Sequence, residues 1–583
     1  MTARSLSNDI AVPNIERRRV SLAGVDLPAE MPEMLRRIYA ARGVRTAQEL
    51  ERSLSALIPL ARMTGADRAA ARIADVMEAG GRLLVVGDFD VDGATSCALS
   101  LLAVRAMGYV DIDYLVPNRF EYGYGLTPEI VALARERFPD LLITVDNGIS
   151  SLDGVDAANA AGIPVIVTDH HLPGEHLPEA VVIVNPNVSG NDFPSGAIAG
   201  VGVTFYVLLA LRAELHRRGW FVRRGIEPPN MAQFLDLVAL GTVADVVPLD
   251  HNNRILVHQG LARIRAGNCR PGILALLEAA RRDYRRVHAA DLGFAVGPRL
   301  NAAGRLDDVS RGIACLLADS LEAARPLAQE LDGLNCERRQ IEQGMQSQVD
   351  AMLAGRQPEG ELDWGLCLFR EDWHQGVIGI LASRIKDRCH RPVIAFAAAD
   401  GDWLKGSARS IPGLHIRDAL AAVAARHPDL LEKFGGHAMA AGLSLRRECL
   451  AAFARAFDAV VRDRLAPEDL QPLIPSDGEV MPEALNLETA RQIAAGGPWG
   501  QAFPQPLFDG CFEILASRIV GEQHWKLVVR PEGGDQALDA IAFRAVERHP
   551  ELPSRARLAY HLDVNEWRGC ESLQLLIEHL EPA

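Results

Sequence analysis

Lysine is almost absent from this chain of 583 residues. It occurs only at positions 386, 405, 433 and 526, whereas arginine occurs 57 times. A GC-rich genome is the simplest cause of this bias, although arginine is also the residue that binds phosphate in a bidentate manner. Aromatic residues are scarce as well, at 5%, so any stacking on nucleobases would depend on a few rings.

The chain also lacks the usual marks of a secreted, zinc-binding or membrane protein. Its nine cysteines form no CxxC pair and no tight cluster with histidine, which argues against a zinc site and a disulfide framework. No apolar run approaches the roughly 18 residues that a membrane-spanning helix needs. The N-terminal segment MTARSLSNDIAVPNIERRR has no apolar core and is typical of a polar arm. We therefore expect a reduced, cytoplasmic protein that contacts no membrane.

Excess positive charge is missing too, because 61 basic and 76 acidic residues leave a net charge of −15. That balance disfavours a simple nucleic-acid coat protein, which would normally be basic. With 48% hydrophobic residues the composition is that of a globular protein, and the length corresponds to roughly three to four ordinary domains.

Short apolar runs alternate with helical segments in the first half of the chain. The runs are RLLVV (82–86), VDIDYLV (110–116), LLITV (141–145), IPVIVT (163–168) and AVVIVN (180–185). Alternation of this kind predicts βαβ units, and continuous Val/Ile/Leu runs predict strands that are buried on both faces. The fold class is therefore α/β with a mainly parallel sheet.

The remaining patterns divide the chain into five parts. A charged helical pattern indicates a long connecting helix, WGLCLF and RPVIAFA indicate a second and smaller α/β domain, and many short strands at the end indicate a β-barrel. We expect a helical region at 1–80, the first α/β domain at 81–319, a connecting helix and linker at 320–362, the second α/β domain at 363–465 and the barrel at 466–583.

Three carboxylates within five residues, Asp88, Asp90 and Asp92, follow the first apolar run in the motif GDFDVDG. The motif resembles the start of an EF-hand loop, but the twelfth position is Leu99 instead of glutamate and a strand precedes it, which excludes that interpretation. A solvated acidic turn is the alternative, although carboxylates this close repel each other unless a cation neutralises them.

Two further motifs place Asp or His directly after an apolar run, namely Asp146 in VDNG and Asp169-His170-His171 after IPVIVT. Each alone would be an ordinary turn from strand to helix. In an open parallel sheet, however, the carboxyl ends of the strands share one crevice where ligands bind. Carboxylates with imidazoles suit Mn²⁺ or Mg²⁺, and the histidines favour manganese. Asp245, an acid within an apolar segment, needs a partner and would join the same cluster.

GDFDVDG, VDNG, TDHH and GTVAD occur in the order that is typical of the DHH phosphoesterase superfamily. PNRFEYGYGL (117–126), GPRLNAAGR (297–305), GSARS (406–410) and FGGHAMAAG (434–442) resemble the branch formed by bacterial single-stranded-DNA exonucleases. The resemblance covers essentially the whole chain from about residue 20. It implies that 81–319 is a DHH domain, that 363–465 is a DHHA1 domain and that the C-terminal barrel is OB-like.

The resemblance implies two divalent metal ions, with Mn²⁺ preferred and Mg²⁺ an alternative. Asp146 would bridge the two ions, and His171 would point towards the scissile phosphate while Asp169 orients its neighbours. The other ligands would be Asp88, Asp90, Asp92, His170 and Asp245.

A second set of residues would contact the substrate strand. Gly436 and His437 offer a backbone N–H and an imidazole to a phosphate, because glycine permits close approach of the backbone. Each of these residues also has an ordinary interpretation, as a turn, a helix cap or, for Tyr124, loop packing. The resemblance implies that the contacts to phosphates and bases come from Arg119, Tyr124, Arg299, Asn301, Arg305, Ser407, Arg409, Gly436 and His437.

The function implied is hydrolysis of single-stranded DNA from the 5′ end to mononucleotides, in recombination and repair, by a monomer with single-strand-binding protein as a further partner. One alternative is a DHH phosphodiesterase that acts on short oligonucleotides, cyclic dinucleotides or polyphosphate, but such relatives are generally much shorter. Another is a non-catalytic binding subunit, but those relatives lose the metal ligands that are all present here.

The charge of the C-terminal part conflicts with a barrel that grips DNA, because residues 471–583 contain 9 basic and 17 acidic residues. A structural brace or a protein-docking module is the alternative there.

Overall fold

The computed structural model describes residues 13–117, 122, 125–354 and 362–583. Its helices are α1 (Glu33–Ala41), α2 (Ala66–Ala79), α3 (Val91–Ala106), α4 (Pro128–Arg135), α5 (Leu152–Ala160), α6 (Gly200–Arg217), α7 (Trp220–Arg224), α8 (Leu235–Ala244), α9 (His251–Arg265), α10 (Pro271–Ala279), α11 (Ala289–Asp291), α12 (Gly297–Leu306), α13 (Ser310–Leu317), α14 (Leu321–Ala354), α15 (Ile378–Cys389), α16 (Ile416–Arg426), α17 (Leu450–Arg464) and α18 (Leu487–Gly496). A π-helical turn, Leu292–Val296, directly precedes α12.

The strands are β1 (Asn14–Arg17), β2 (Leu83–Gly87), β3 (Ile112–Leu115), β4 (Leu141–Val145), β5 (Val165–Thr168), β6 (Val182–Val184), β7 (Leu366–Phe369), β8 (Val393–Ala398), β9 (Trp403–Arg409), β10 (Lys433–Gly436), β11 (Ala440–Arg446), β12 (Leu473–Ser476), β13 (Phe508–Val520), β14 (His524–Pro531), β15 (Leu538–Ala542), β16 (Arg555–Trp567) and β17 (Cys570–Pro582).

The first compact unit comprises residues 21–335 and 495–505. Its sheet has the strand order β3-β2-β4-β5-β6, and all four neighbouring pairs are parallel. Every residue of β2, β4 and β5 is buried, as expected for strands covered on both faces. The predicted parallel α/β fold is therefore confirmed, and the carboxyl ends of all five strands lie at the same edge of the sheet.

The second unit comprises the described residues up to Val20, together with 336–494 and 506–583. It contains a mixed sheet in the order β10-β11-β9-β8-β7 and a closed barrel in the order β13-β14-β15-β17-β16. The predicted C-terminal barrel is thus confirmed. Strand β1, in the arm expected to be helical and peripheral, pairs in parallel with β12, and the sequence analysis missed it.

Helix α14 leads the chain from the first unit into the second. It is continuous over 34 residues and contains Pro326 in its interior. Gly333 and Gly344 have no atom within 4 Å of the place where a Cβ would stand, so neither glycine is required by packing. Across the described residues, no helix is long and apolar enough to cross a membrane.

Candidate metal centre

The loop after β2 carries the first three carboxylates and begins α3. Oδ1 of Asp90 caps this helix by accepting hydrogen bonds from the backbone N–H groups of Asp92 (2.9 Å) and Gly93 (3.1 Å). A Cβ on Gly93 would lie 2.3 Å from the carbonyl oxygen of Asp88, so glycine is required for the loop to close this tightly. Asp88 and Asp92 are buried, which a carboxylate tolerates only with partners.

Asp92 is held by the N-terminus of α6. Its Oδ2 accepts a hydrogen bond from the N–H of Gly200 (2.6 Å), and its Oδ1 accepts one from the N–H of Val201 (2.8 Å). The first N–H groups of a helix lack partners within the helix and carry a partial positive charge. Asp92 therefore has a fixed orientation before any ligand binds.

Asp146 follows β4 and has a left-handed backbone conformation, with φ of 61°. Asp and Asn adopt this conformation more readily than most other non-glycine residues. Its N–H donates to the carbonyl of Thr168 at the end of β5 (3.0 Å). Beside it, Nδ2 of Asn147 donates to the carbonyl of Val86 in β2 (3.1 Å). These bonds fix the ends of three neighbouring strands around the Asp146 carboxylate.

His170 brings the metal-ligand candidates together. Its Nε2 lies 3.1 Å from Oδ1 of Asp146, 3.5 Å from Oδ2 of Asp245 and 4.0 Å from Oδ2 of Asp92. Three overlapping groups each have ligand atoms within 4.8 Å of one another, and they are Asp88/Asp90/Asp146, Asp92/His170/Asp245 and Asp146/His170/His171. Asp146 and His170 each belong to two of these groups.

Burial and mutual repulsion alter the protonation of three of these carboxylates. Burial, followed by repulsion from Asp90, raises the pKa of Asp92 to about 7. Burial and the neighbouring carboxylates also raise the pKa values of Asp146 and Asp245 above their ordinary range. Oδ2 of Asp245 is buried and accepts no hydrogen bond from any described residue. Carboxylates with one imidazole are a donor set suited to Mn²⁺ or Mg²⁺.

Asp169 and His171 form a separate pair beside this cluster. Oδ1 of Asp169 accepts hydrogen bonds from Nδ1 of His171 (2.7 Å) and from the N–H of His170 (2.7 Å), while Oδ2 accepts one from the N–H of Ile149 (2.9 Å). Burial alone would lower the pKa of His171, but the Asp169 carboxylate raises it above the ordinary value. Asp169 thus holds the histidine pair in position through these hydrogen bonds.

Two asparagines that sequence reasoning missed support the same pair. Nδ2 of Asn185, which is buried, donates to the carbonyl of His171 (2.9 Å), and Nδ2 of Asn187 donates to the carbonyl of His170 (2.5 Å). Asn185 comes directly after β6, and Asn187 follows two residues later. A polar residue at the carboxyl end of an apolar run was the signal used for Asp88 and Asp146, and it would have identified Asn185 as well.

Helix α12, from the motif GPRLNAAGR, packs on the loop that carries Asp88 and Asp90. A Cβ on Gly304 would lie 2.2 Å from the carbonyl oxygen of Phe89. Arg299 is buried and forms an ion pair with Asp332 (2.8 Å), which favours a structural role, so its predicted phosphate contact stays a prediction. Asn301 and Arg305 are half-buried one turn apart. Arg119 and Tyr124 lie outside the described residues.

In the second unit, Ser407, Arg409, Gly436 and His437 come together at one end of the mixed sheet. Arg409 donates to Oγ of Ser407 (3.0 Å), and no carboxylate among the described residues forms an ion pair with it. Burial lowers the pKa of its guanidinium, as expected for a charge without an anion beside it. The N–H of Ser410 donates to the carbonyl of Met439 (2.9 Å), so the turn that carries exposed His437 lies next to Arg409.

Some of the basic residues of the barrel share one outward face, but carboxylates neutralise most of them. Arg518 faces Lys526 across β13 and β14, and Arg530 shares their outward face by strand alternation. Lys526 pairs with Asp539 (3.1 Å) and Arg530 with Glu513 (2.5 Å), so nearby carboxylates neutralise two of the three. Nε1 of Trp525 donates to the carbonyl of His549, and the side chain of Trp567 lies outside the described residues.

Family models match three parts of the chain. They are the DHH family N-terminal domain at residues 82–242, the DHHA1 domain at 364–463 and the RecJ OB domain at 476–579. The chain is 55% identical to the single-stranded-DNA-specific exonuclease RecJ of Escherichia coli over 571 residues, covering 97% of this chain and 99% of that protein. It is 51% identical to RecJ of Haemophilus influenzae, covering 94% and 96%.

A solved structure shares the fold. The crystal structure of RecJ from Thermus thermophilus in complex with Mn²⁺ is similar at a TM-score of 0.79 and 30% identity, covering 98% of this chain and 79% of that one. This chain belongs to the RecJ family, whose curated members are single-stranded-DNA-specific exonucleases.

Proposed function

We propose that this chain is an exonuclease that hydrolyses single-stranded DNA from the 5′ end and releases mononucleotides. The observation that carries the proposal is the cluster around His170 Nε2, in which the carboxylates of Asp146, Asp245 and Asp92 lie within 4.0 Å. Its residues are those expected from the DHH motifs, in a chain that matches curated exonucleases along nearly its whole length.

The cluster fits two divalent metal ions, with Mn²⁺ preferred and Mg²⁺ as the alternative. Solved structures of the Thermus thermophilus relative carry each of these ions. Asp146 would be shared between the two sites, with Asp88 and Asp90 on one side and Asp92, His170 and Asp245 on the other. When bound, two such ions activate a water molecule and neutralise charge on the leaving oxygen.

The protein contributes orientation and proton handling. Because the Asp169 carboxylate is fully engaged as an acceptor, Nδ1 of His171 donates to it, and the other ring nitrogen would be directed at the scissile phosphate. Asn185 and Asn187 fix the backbone of the histidine pair. Arg409, Ser407 and the Gly436-His437 turn would bind the phosphates of the strand, together with Asn301, Arg305, Arg119 and Tyr124.

Several further properties belong to the same proposal. They are a monomeric state, a place in the cytoplasm, a role in recombination and repair, single-strand-binding protein as a partner, and the domain boundaries predicted from the sequence. We also propose that the outward face of β13 and β14 contacts DNA, although the ion pairs of Lys526 and Arg530 weaken its positive potential.

Digestion of 5′-labelled and 3′-labelled single strands in Mn²⁺ tests the proposal. We expect a 5′ label to appear at once as a mononucleotide, whereas a 3′ label stays on progressively shorter strands, and a blunt duplex stays intact. Cleavage of cyclic dinucleotides or very short oligonucleotides in preference to long strands would instead favour the DHH phosphodiesterase alternative.

A further inference from the structure

A large apolar side chain projects into solvent from the π-helical turn that precedes α12. Phe294 is 82% exposed, although its neighbours Leu292, Ala295 and Val296 in the same π-helical turn are buried. A single exposed apolar residue is common on protein surfaces, so exposure alone assigns no role. A π-helical turn is rare, however, and such turns occur frequently at functional sites.

The turn is fixed against the segment that ends in a metal-ligand candidate. A Cβ on Gly293 would lie 3.3 Å from Cγ1 of Val243, and a Cβ on Gly297 would lie 3.5 Å from Cβ of Ala244. Asp245 is the next residue along the chain. Because Gly304 of the same helical segment packs on the carbonyl of Phe89, the segment runs along the metal-binding loops, and Phe294 is held by rigid elements.

Exposed arginines precede this turn in the chain, separated from it by residues 287–291. Residues 281–286 read RRDYRR, and all six are exposed. In a chain with a net charge of −15, the stretch from 263 to 286 contains seven arginines and only two carboxylates. We refer to residues 281–286 together with Phe294 as the arginine–phenylalanine surface.

Local contacts hold this surface in place without neutralising it fully. Nε of Arg265 donates to the carbonyl of Val287 (2.8 Å), which anchors the end of the loop. Arg285 pairs with Asp283 (2.9 Å) and Arg282 pairs with Asp291 (3.3 Å). Arg281 forms no ion pair with any described carboxylate. The guanidinium of Arg281 is therefore not neutralised by any described carboxylate, which favours an anionic ligand.

We propose that the arginine–phenylalanine surface binds the single-stranded DNA substrate next to the metal centre. Phe294 would stack on a base, and Arg281 and Arg285 would contact backbone phosphates. Every base has a π-face, and a basic surface combined with an exposed ring is the arrangement that binds single strands independently of sequence. This inference rests on the proposed exonuclease function, for which it names an additional positioning site.

The chain offers closely matched controls. Phe138 is 81% exposed but precedes β4, so it lies at the opposite end of the sheet from the metal-ligand candidates. The side chain of Arg217 is 71% exposed and pairs with Glu214 in its own helix, just as that of Arg285 is 71% exposed and pairs with nearby Asp283.

The experiment compares Phe294→Ala, Phe294→Tyr and the double variant Arg281→Ala/Arg285→Ala with the controls Phe138→Ala and Arg217→Ala. Full-length proteins are assayed for Mn²⁺-dependent hydrolysis of a long oligo-dT and for its binding at several salt concentrations. We expect Phe294→Ala to raise KM about 5- to 150-fold, the effect of one lost stacking contact, with little change in kcat and with recovery in Phe294→Tyr. The double variant should have a shallower slope of log Kobs against log salt concentration, by the amount that corresponds to about one to two lost phosphate contacts.

Variants that bind and cut like the wild type would overturn the inference while leaving the exonuclease function intact. Variants that bind and cut DNA normally but no longer bind an acidic protein would also overturn the inference and leave the exonuclease function intact. Absence of hydrolysis by the wild type would instead overturn the proposed function itself, so the two failures are distinguishable. A Phe294→Ala protein that melts earlier than Phe138→Ala and is not rescued by tyrosine would assign Phe294 a structural role, which also contradicts the inference.

Discussion

Gly200 and Asp146 are in such close contact that a Cβ on Gly200 would lie 2.7 Å from both Cβ and Oδ1 of Asp146. The same Gly200 donates its N–H to Asp92. One glycine at the beginning of α6 therefore constrains the positions of two carboxylates, one in the first turn of α3 and one directly after β4. No side chain fits there unless the metal centre moves.

Gly200→Ala should disable the site while the fold persists. The new methyl group must displace Asp146 or the start of α6, and a misplacement of ~1 Å at a reacting centre costs on the order of 100-fold in rate. We expect a loss of this size in Mn²⁺-dependent hydrolysis and weaker Mn²⁺ binding in calorimetry. The control is Gly333→Ala, the same change at an open helical position, which should keep full activity. Wild-type metal binding in Gly200→Ala would contradict the packing argument.

Replacement of Asp146 should abolish hydrolysis without destabilising the metal-free protein. Burial and the neighbouring carboxylates raise its pKa, so removing its charge relieves repulsion in the absence of metal. Asp146→Asn keeps a residue type that tolerates φ of 61°, whereas Asp146→Ala adds backbone strain of about 1 kcal/mol. We expect both to be inactive and to lose the Mn²⁺-induced rise in Tm. More than a trace of activity in Asp146→Asn would exclude a bridging role.

Arg409→Ala should weaken substrate binding and leave the metal content unchanged. Loss of a hydrogen bond to a charged group costs about 1.5–3 kcal/mol, so KM should rise roughly 10- to 150-fold. Arg409→Lys should recover only part of the loss, because lysine lacks the planar fork of donors. Arg426→Ala, which removes an exposed partner of Asp463, is the control. Depleted manganese in Arg409→Ala would show that this residue supports the metal centre instead.

The anchorage of β1 should depend on acid pH through Asp509. Burial alone would raise the pKa of Asp509, but hydrogen bonds from Arg17, Ser476 and Arg557 hold it below the ordinary value. A carboxylate with a lowered pKa contributes stability above its unfolded pKa and loses it as the pH falls through the folded pKa. Asp509→Asn should therefore destabilise the barrel by about 1–3 kcal/mol near neutrality.

The pH dependence of that difference is the decisive measurement. Hydrogen exchange in peptides that contain β1 and β13 should show a gap between wild type and Asp509→Asn near neutral pH that closes below about pH 4. A gap that stays constant over this range would mean that the charge of Asp509 does not stabilise the contact. Glu479→Gln removes the exposed and weaker partner of Arg17 and should have little effect.

Several of the metal-ligand candidates could be predicted because they follow the end of an apolar run, whereas Asp245 was inferred only from its place within an apolar segment. Asp88, Asp146 and His170 need only the rule that strand ends share a crevice, and the structure places them as that rule requires. The hydrogen-bond donors that hold the Asp92 carboxylate could not be predicted, because they are backbone N–H groups 108 and 109 residues away along the chain. Backbone donors are present at every residue and leave no signal in the sequence.

The second sheet was predicted less completely for a different reason. β9 reads WLKGSAR and β10 reads KFGG, so glycine and charged residues interrupt the apolar pattern by which β8 was recognised. Arg299 illustrates a limit of motif reasoning. Its position suggested a phosphate contact, yet its side chain pairs with Asp332, a residue that no local pattern associates with it.

The pairing of β1 with β12 has a consequence for synthesis on the ribosome. Ile15 pairs with Ile474, so at about 5–20 residues per second the first strand is made on the order of 20–90 s before its partner. During that interval it would be an unpaired edge, and such edges template aggregation. The sequence NIER, with two charges in four residues, makes that edge a poor template, so the polarity that hid β1 from prediction also protects the nascent chain.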